Sequence, residues 1–218
     1  MQATSDPQRG VCLLALEQAR VRCQIGALRW TFHPLPKDAA AGGANAWSRI
    51  VIDDAHGLAF VPTGSASPDY FGGLRIDQDG YANSLVALNA ATGEVVWHFQ
   101  TVHHDLWDYD VASPPLLFPG RSGPAVAAGS KSGHVFLFDR LTGKPLFPIL
   151  ERPVPASDVP SERTAPTQPF PLKPESLSPQ RVTESDLWGC GARRRRIWLH
   201  ADKRSASCAT KAFSRLRV

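Results

Sequence analysis

Long apolar runs are missing from this chain: no stretch approaches the roughly eighteen residues that a membrane-spanning helix requires. The first thirty residues also lack a basic start, an apolar stretch and a small-residue cleavage site, so no export signal is legible. Cysteine is scarce. Cys12, Cys23, Cys190 and Cys208 lie near the two ends, the 166 residues between Cys23 and Cys190 hold none, and no pair has the spacing of a zinc site or a redox motif. Cysteine therefore leaves the redox compartment open. Convincing amphipathic helical periodicity is absent before residue 180.

A uniform charge of one sign is lacking too. The net charge of +4 comes from residues 190–218, which hold nine Lys or Arg against Asp202 alone and so carry +8, while residues 1–189 carry −4. The Arg193 to Arg196 run could neutralise phosphates. It lies outside the part that reads as folded, and no nucleic-acid partner is expected.

What remains is a chain of 218 residues with an ordinary 43% apolar content, enough for one or two domains with a sizeable core. A phrase recurs in it: Gly26-Ala27-Leu28-Arg29-Trp30, then Leu85 through Asn89, Thr92, Gly93 and Trp97, then Val135 through Asp139, Thr142, Gly143 and Phe147. Each complete copy is a short apolar strand, an Asn or Asp, a Thr-Gly turn, and a second strand ending in a large aromatic. Glycine supplies the positive φ of a tight hairpin turn. The three glycines are 67 and 50 residues apart, which fits a unit of about 45 to 50 residues with one insertion. Units of four short strands at that period build propeller blades. Further strands are expected at Leu58 to Pro62 and Ala125 to Ala128, between loops rich in Gly, Pro and Ser.

From Arg152 to Pro179 the chain is proline-rich, which forbids a helix and central strands. A long extended loop over other structure is expected there, with a plain linker as the alternative.

Directly after the second repeat come Val102-His103-His104-Asp105-Leu106-Trp107-Asp108-Tyr109-Asp110. Such a cluster can provide a general base beside a metal and a reacting alcohol. Taken alone it reads first as packed aromatics with charges lining a solvated loop.

This segment, the tryptophan-ended repeat, Pro62-Thr63-Gly64-Ser65-Ala66-Ser67-Pro68-Asp69 and Pro166-Thr167-Gln168-Pro169-Phe170-Pro171 together resemble the pyrroloquinoline quinone (PQQ)-dependent dehydrogenases of the glucose and quinate branch. The resemblance runs from about Gly26 to Gly189. It implies an all-β fold, part of an eight-bladed β-propeller whose ring this chain does not complete. It implies PQQ and a divalent metal, usually calcium (Ca2+), on the propeller axis.

By the resemblance Asp108 matches the catalytic base, Lys131 in Gly129-Ser130-Lys131-Ser132-Gly133 the cation beside the quinone oxygens, and Trp47 the indole stacked on one PQQ face. Without it, Trp47 would read as an ordinary core tryptophan. Asp108 also matches a metal ligand. Ser65 stands where many relatives carry a ligating asparagine; its hydroxyl is a shorter-reaching oxygen donor for the metal. His103, His104, Asp105 and Asp110 are expected to be supporting structure. A sugar or cyclic polyol substrate, a quinone or cytochrome electron acceptor and a periplasmic location follow from the resemblance, with membrane attachment only through parts outside this chain. The alternative is a noncatalytic propeller scaffold for protein contacts.

The organisation expected is therefore an unassigned segment at 1–25, a partial propeller at 26–189 including the proline-rich 152–179, and a basic tail at 190–218. A change of reading frame near Gly189, and another before Gly26, would account for the loss of likeness at each end. The chain is expected to be an incomplete piece with little or no turnover alone.

Overall fold

The computed structural model describes residues 28–39 and 41–180, together with the backbone of 4–5, 12–15 and 19–22. The basic tail, the expected frame changes and the first repeat glycine, Gly26, lie outside the described residues.

The described elements are strands, with one 3-10 turn at Gly72–Leu74. Strands β1 (Thr4–Ser5), β2 (Cys12–Ala15), β3 (Ala19–Arg22) and β4 (Leu28–Phe32) form a first antiparallel sheet. After β5 (Gly42–Gly43), a second sheet follows from β6 (Val51–Asp53), β7 (Leu58–Pro62), β9 (Ser84–Asn89) and β10 (Val95–Gln100), while β8 (Ala66–Ser67) leaves it to pair with β5. A third sheet contains β11 (Leu116–Gly120), β12 (Gly123–Gly129) and β13 (Val135–Asp139). Each multi-stranded sheet is an antiparallel meander, the blade architecture expected from the repeat.

The middle sheet explains the unbroken apolar runs. Alternate residues of a strand face opposite sides. Ala59 and Val61 of β7, with Val86 and Leu88 of β9, pack in one cluster with Phe32 and Ile50. Their neighbours Leu58, Phe60, Leu85 and Ala87 pack in a second cluster with Trp97, Val126, Phe136 and Phe138 of β10, β12 and β13. Both faces of β7 and β9 are thus covered, so neither strand can alternate apolar with polar.

The repeat phrase fastens one blade to the next. Asn89 Oδ1 accepts the backbone N–H of Ala91 and Thr92, and Asp139 Oδ1 accepts those of Leu141 and Thr142, closing the two turns. Gly93 and Gly143 follow with φ of +78° and +70°. The ring of Trp30 lies on Gly93 and that of Trp97 on Gly143, so close that a Cβ at either glycine would come within 2.5 and 2.6 Å of the indole. Each indole N–H donates to a carbonyl of the turn it covers, Trp30 to Ala90 at 3.1 Å and Trp97 to Arg140 at 3.0 Å. The glycine therefore serves twice, for the turn and for the tryptophan of the preceding blade.

Two expectations need correction. The third copy of the repeat does not form a full second strand: Pro145 makes a single bridge with Phe138, because proline has no N–H for a ladder. The proline-rich segment is not a linker: most of it is loop laid over other structure, as expected, but residues 152–153 and 167–171 are strand. β14 (Ile149–Pro153) and β15 (Thr167–Pro171) pair as an antiparallel ribbon. In a two-stranded ribbon both strands are edges, the position proline tolerates.

Candidate functional site

Three loops meet at one end of the second and third sheets. One leaves β7 at Thr63, one leaves β10 at Thr101, and one leaves β12 at Ser130. Backbone bonds lock them together: Val111 N–H donates to Thr63 O at 3.3 Å and Lys131 N–H to Asp110 O at 2.9 Å. The segment carrying Trp47 joins through Gly64 N–H, which donates to Asn45 O at 3.0 Å.

These loops bring Asp108, Lys131 and Trp47 together. Lys131 Nζ donates to Asp108 Oδ2 at 2.9 Å and to Asp110 Oδ2 at 2.6 Å, and stands 5.6 Å from the centroid of the Trp47 ring, within cation–π range. Burial alone would lower the ammonium's pKa. The two carboxylates outweigh that and hold it above the ordinary lysine value, so Lys131 stays positive. Trp47 is 56% exposed; it is not a core tryptophan, and a ring left open beside a fixed cation is suited to a flat anionic partner. Asp108 has φ of +60°, a conformation that costs a non-glycine residue about 1 kcal/mol or more and that persists where the surroundings impose it. Tyr70 places its hydroxyl 3.5 Å from Asp108 Oδ2, and the charge of Asp108 raises the phenol's pKa.

Asp110 was expected to be mere support, yet it ties the site together. Its Oδ2 accepts from Trp47 Nε1 at 3.1 Å as well as from Lys131, and its Oδ1 accepts the Ser65 N–H at 2.6 Å. It is 5% exposed. A Cβ at Gly64 would come within 2.8 Å of Asp110 Oδ1, so the glycine leaves room for this carboxylate.

Ser65 lies behind this group. Its hydroxyl donates to Asp105 Oδ2 and accepts from Asn83 Nδ2, the latter at 2.9 Å. Only one lone pair is left on that oxygen for any cation. Among the described residues no group of three or more His, Cys, Asp or Glu gathers where a metal could sit. The two histidine rings are engaged elsewhere: His103 Nδ1 lies 2.8 Å from Gln100 Oε1 and its Nε2 3.1 Å from Glu151 Oε1, while Gln168 of β15 brackets its backbone with bonds of 2.8 and 2.7 Å, and His104 Nδ1 lies 2.6 Å from Asp79 Oδ2.

The chain matches the family described as "PQQ: Glucose/ethanol/alcohol dehydrogenase, beta-propeller domain" over residues 22–210, a span that reaches past Gly189. It is 38% identical over 180 residues to the quinate/shikimate dehydrogenase (quinone) of Acinetobacter baylyi, covering 75% of this chain and 22% of that protein. It is 37% identical over 180 residues to the quinoprotein glucose dehydrogenase of Escherichia coli, again covering 75% of this chain and 22% of the relative. The crystal structure of the quinohemoprotein alcohol dehydrogenase from Comamonas testosteroni resembles it in fold, with a TM-score of 0.58 at 20% identity over 75% of this chain and 30% of that one. The chain thus spans under a quarter of the length of these curated relatives.

Proposed function

Because the chain belongs to the PQQ-dependent glucose/ethanol/alcohol dehydrogenase β-propeller family, we propose that it supplies part of the cofactor site of a dehydrogenase that oxidises a sugar or cyclic polyol. The observation that carries this reading is the exposed Trp47 ring with the Lys131 ammonium above it and Asp108 bonded to that ammonium. The residues suit PQQ, a planar quinone bearing carboxylates: the indole offers a stacking face, and Lys131 offers a permanent positive charge. When bound, PQQ would supply the two-electron acceptor for hydride from the substrate carbon.

Asp108 would take the proton of the substrate hydroxyl. Its carboxylate is hydrogen-bonded by Lys131 and is 28% exposed, so it remains open to a ligand. Lys131 is placed to hydrogen-bond quinone oxygens and to favour negative charge gathering there. Asp110 fixes the heights of Lys131 and Trp47 relative to each other. For calcium or another divalent cation, Asp108 is the protein ligand offered among the described residues; Ser65, committed to Asp105 and Asn83, adds at most a single lone pair. A periplasmic setting and a quinone or cytochrome acceptor belong to the same proposal. A scaffold used only for protein contacts gives no reason for a lysine held between two carboxylates beside the open Trp47.

Dye-linked oxidation of a polyol or sugar by the PQQ- and calcium-loaded protein tests the base. The chain alone is expected to show little or no turnover; whatever dye-linked activity it has should fall about a hundredfold or more in Asp108→Asn while PQQ affinity stays within a few-fold, and vigorous turnover that survives the substitution would contradict the assignment.

A further inference from the structure

Asp108 holds a left-handed backbone without being glycine, a conformation that its neighbours' bonds can select. The residues on either side of it are both tied to one buried side chain. Asp105 Oδ1 accepts the N–H of Trp107 at 3.0 Å, and Asp105 Oδ2 accepts the N–H of Tyr109 at 2.6 Å. Asp105 is 1% exposed.

Its carboxylate is in turn fixed from behind. Ser65 Oγ donates to Oδ2, and Asn83 Nδ2 donates to the same oxygen at 2.9 Å. Every partner of the carboxylate is a donor, which calls for the ionised form; burial pushes its pKa up, and these hydrogen bonds act against that rise. The backbone of Asp105 is anchored as well. The guanidinium of the fully buried Arg75 donates to Asp105 O, and is itself held by Asp79 at 2.7 Å and Pro68 O at 3.1 Å. A rigidly mounted acceptor thus grips the N–H of the residue before Asp108 and the N–H of the residue after it. Only the torsions of Trp107 and Asp108 lie between those two fixed points, so the path the chain can take through Asp108 is narrow.

We propose that Asp105 is the positioning residue for Asp108, holding it in its left-handed conformation by accepting the N–H groups of Trp107 and Tyr109. The functional meaning of this rests on the reading of Asp108 as the base. The same device extends to the cation, since Asp108 so placed is one of the two carboxylates on Lys131.

Asp105→Asn tests this well, because asparagine keeps the size but replaces one acceptor oxygen with an NH2 that faces donors. The 218-residue chain would be studied by amide hydrogen exchange and by the NMR one-bond Cα–Hα coupling that reports the sign of φ. In the parent, Asp108 should show the positive-φ coupling, and the Trp107 and Tyr109 amides should exchange slowly. In Asp105→Asn those two amides should exchange about tenfold faster and the Asp108 coupling should move toward the negative-φ value, with β9 amides unchanged. Ser65→Ala removes one grip on the carboxylate but neither amide bond, and should give a smaller rise at the same two amides; it serves as the comparison if Asp105→Asn does not fold.

A parent lacking the coupling or the protection would overturn the proposal. So would variants that leave both unchanged, or in which β9 amides rise equally, which is the mark of a general stabiliser. None of these readouts involves PQQ, so failure of Asp108 as a base, read from Asp108→Asn, is separately visible.

Discussion

Lys131 is the residue on which the site's charge balance turns. It joins two carboxylates to the face of an exposed indole, so removing its charge leaves Asp108 and Asp110 facing one another without a counterion. Lys131→Gln should weaken PQQ binding roughly tenfold or more, the loss of one charge-assisted hydrogen bond, measured by titrating the quinone absorbance. Asp108, Lys131 and Trp47 were all legible in the sequence, and the structure brings them together. The roles of Asp110 and Asp105 were not. Both act through bonds to residues 45 to 63 positions away or to backbone amides, and neither kind of partner leaves a pattern in a linear sequence. Ser65 shows the converse, since position suggested a ligand while its buried hydroxyl serves Asp105 and Asn83.

Between elements, the blades are joined by more than apolar packing. Arg140, in the turn after β13, reaches back to Asp53 at the end of β6 at 2.9 Å, and also donates to Ala125 O and Phe118 O. Burial alone would raise the Asp53 carboxyl, but Arg140 and His56 outweigh it and hold the pKa below its ordinary 3.8. The stability from this pair is therefore present above that ordinary value and is lost as pH falls through the lower folded one. Urea unfolding should show this as a loss on the acid side, beginning below about pH 4. Asp53→Asn should cost about 2 kcal/mol at neutral pH and flatten that acid limb. The strand-turn-strand repeat was readable because its Asn or Asp, its glycine and its tryptophan each have a local cause. The ribbon of β14 and β15 was not, because strand propensity argues against prolines and only the pairing of two distant segments admits them.

At the scale of the molecule, the middle sheet is covered on both faces, by Phe32 and Ile50 on one side and by Val126, Phe136 and Phe138 of the third sheet on the other. The site sits where loops of the covered sheet meet those of the third, so the best-packed part of the fold is what holds Asp108, Asp110 and Lys131 in place. All-β blades were legible from period and turn chemistry; the convergence of three loops was not, since it depends on how successive sheets stack. The central claim is that this arrangement is a PQQ site, and the most direct test is titration of the 218-residue chain with PQQ in the presence of calcium, followed by tryptophan fluorescence. Saturable quenching that Trp47→Ala weakens about tenfold, as expected for the loss of one stacked ring, is the predicted result. Binding that is absent from the folded chain, or that is equally tight without Trp47, would contradict it.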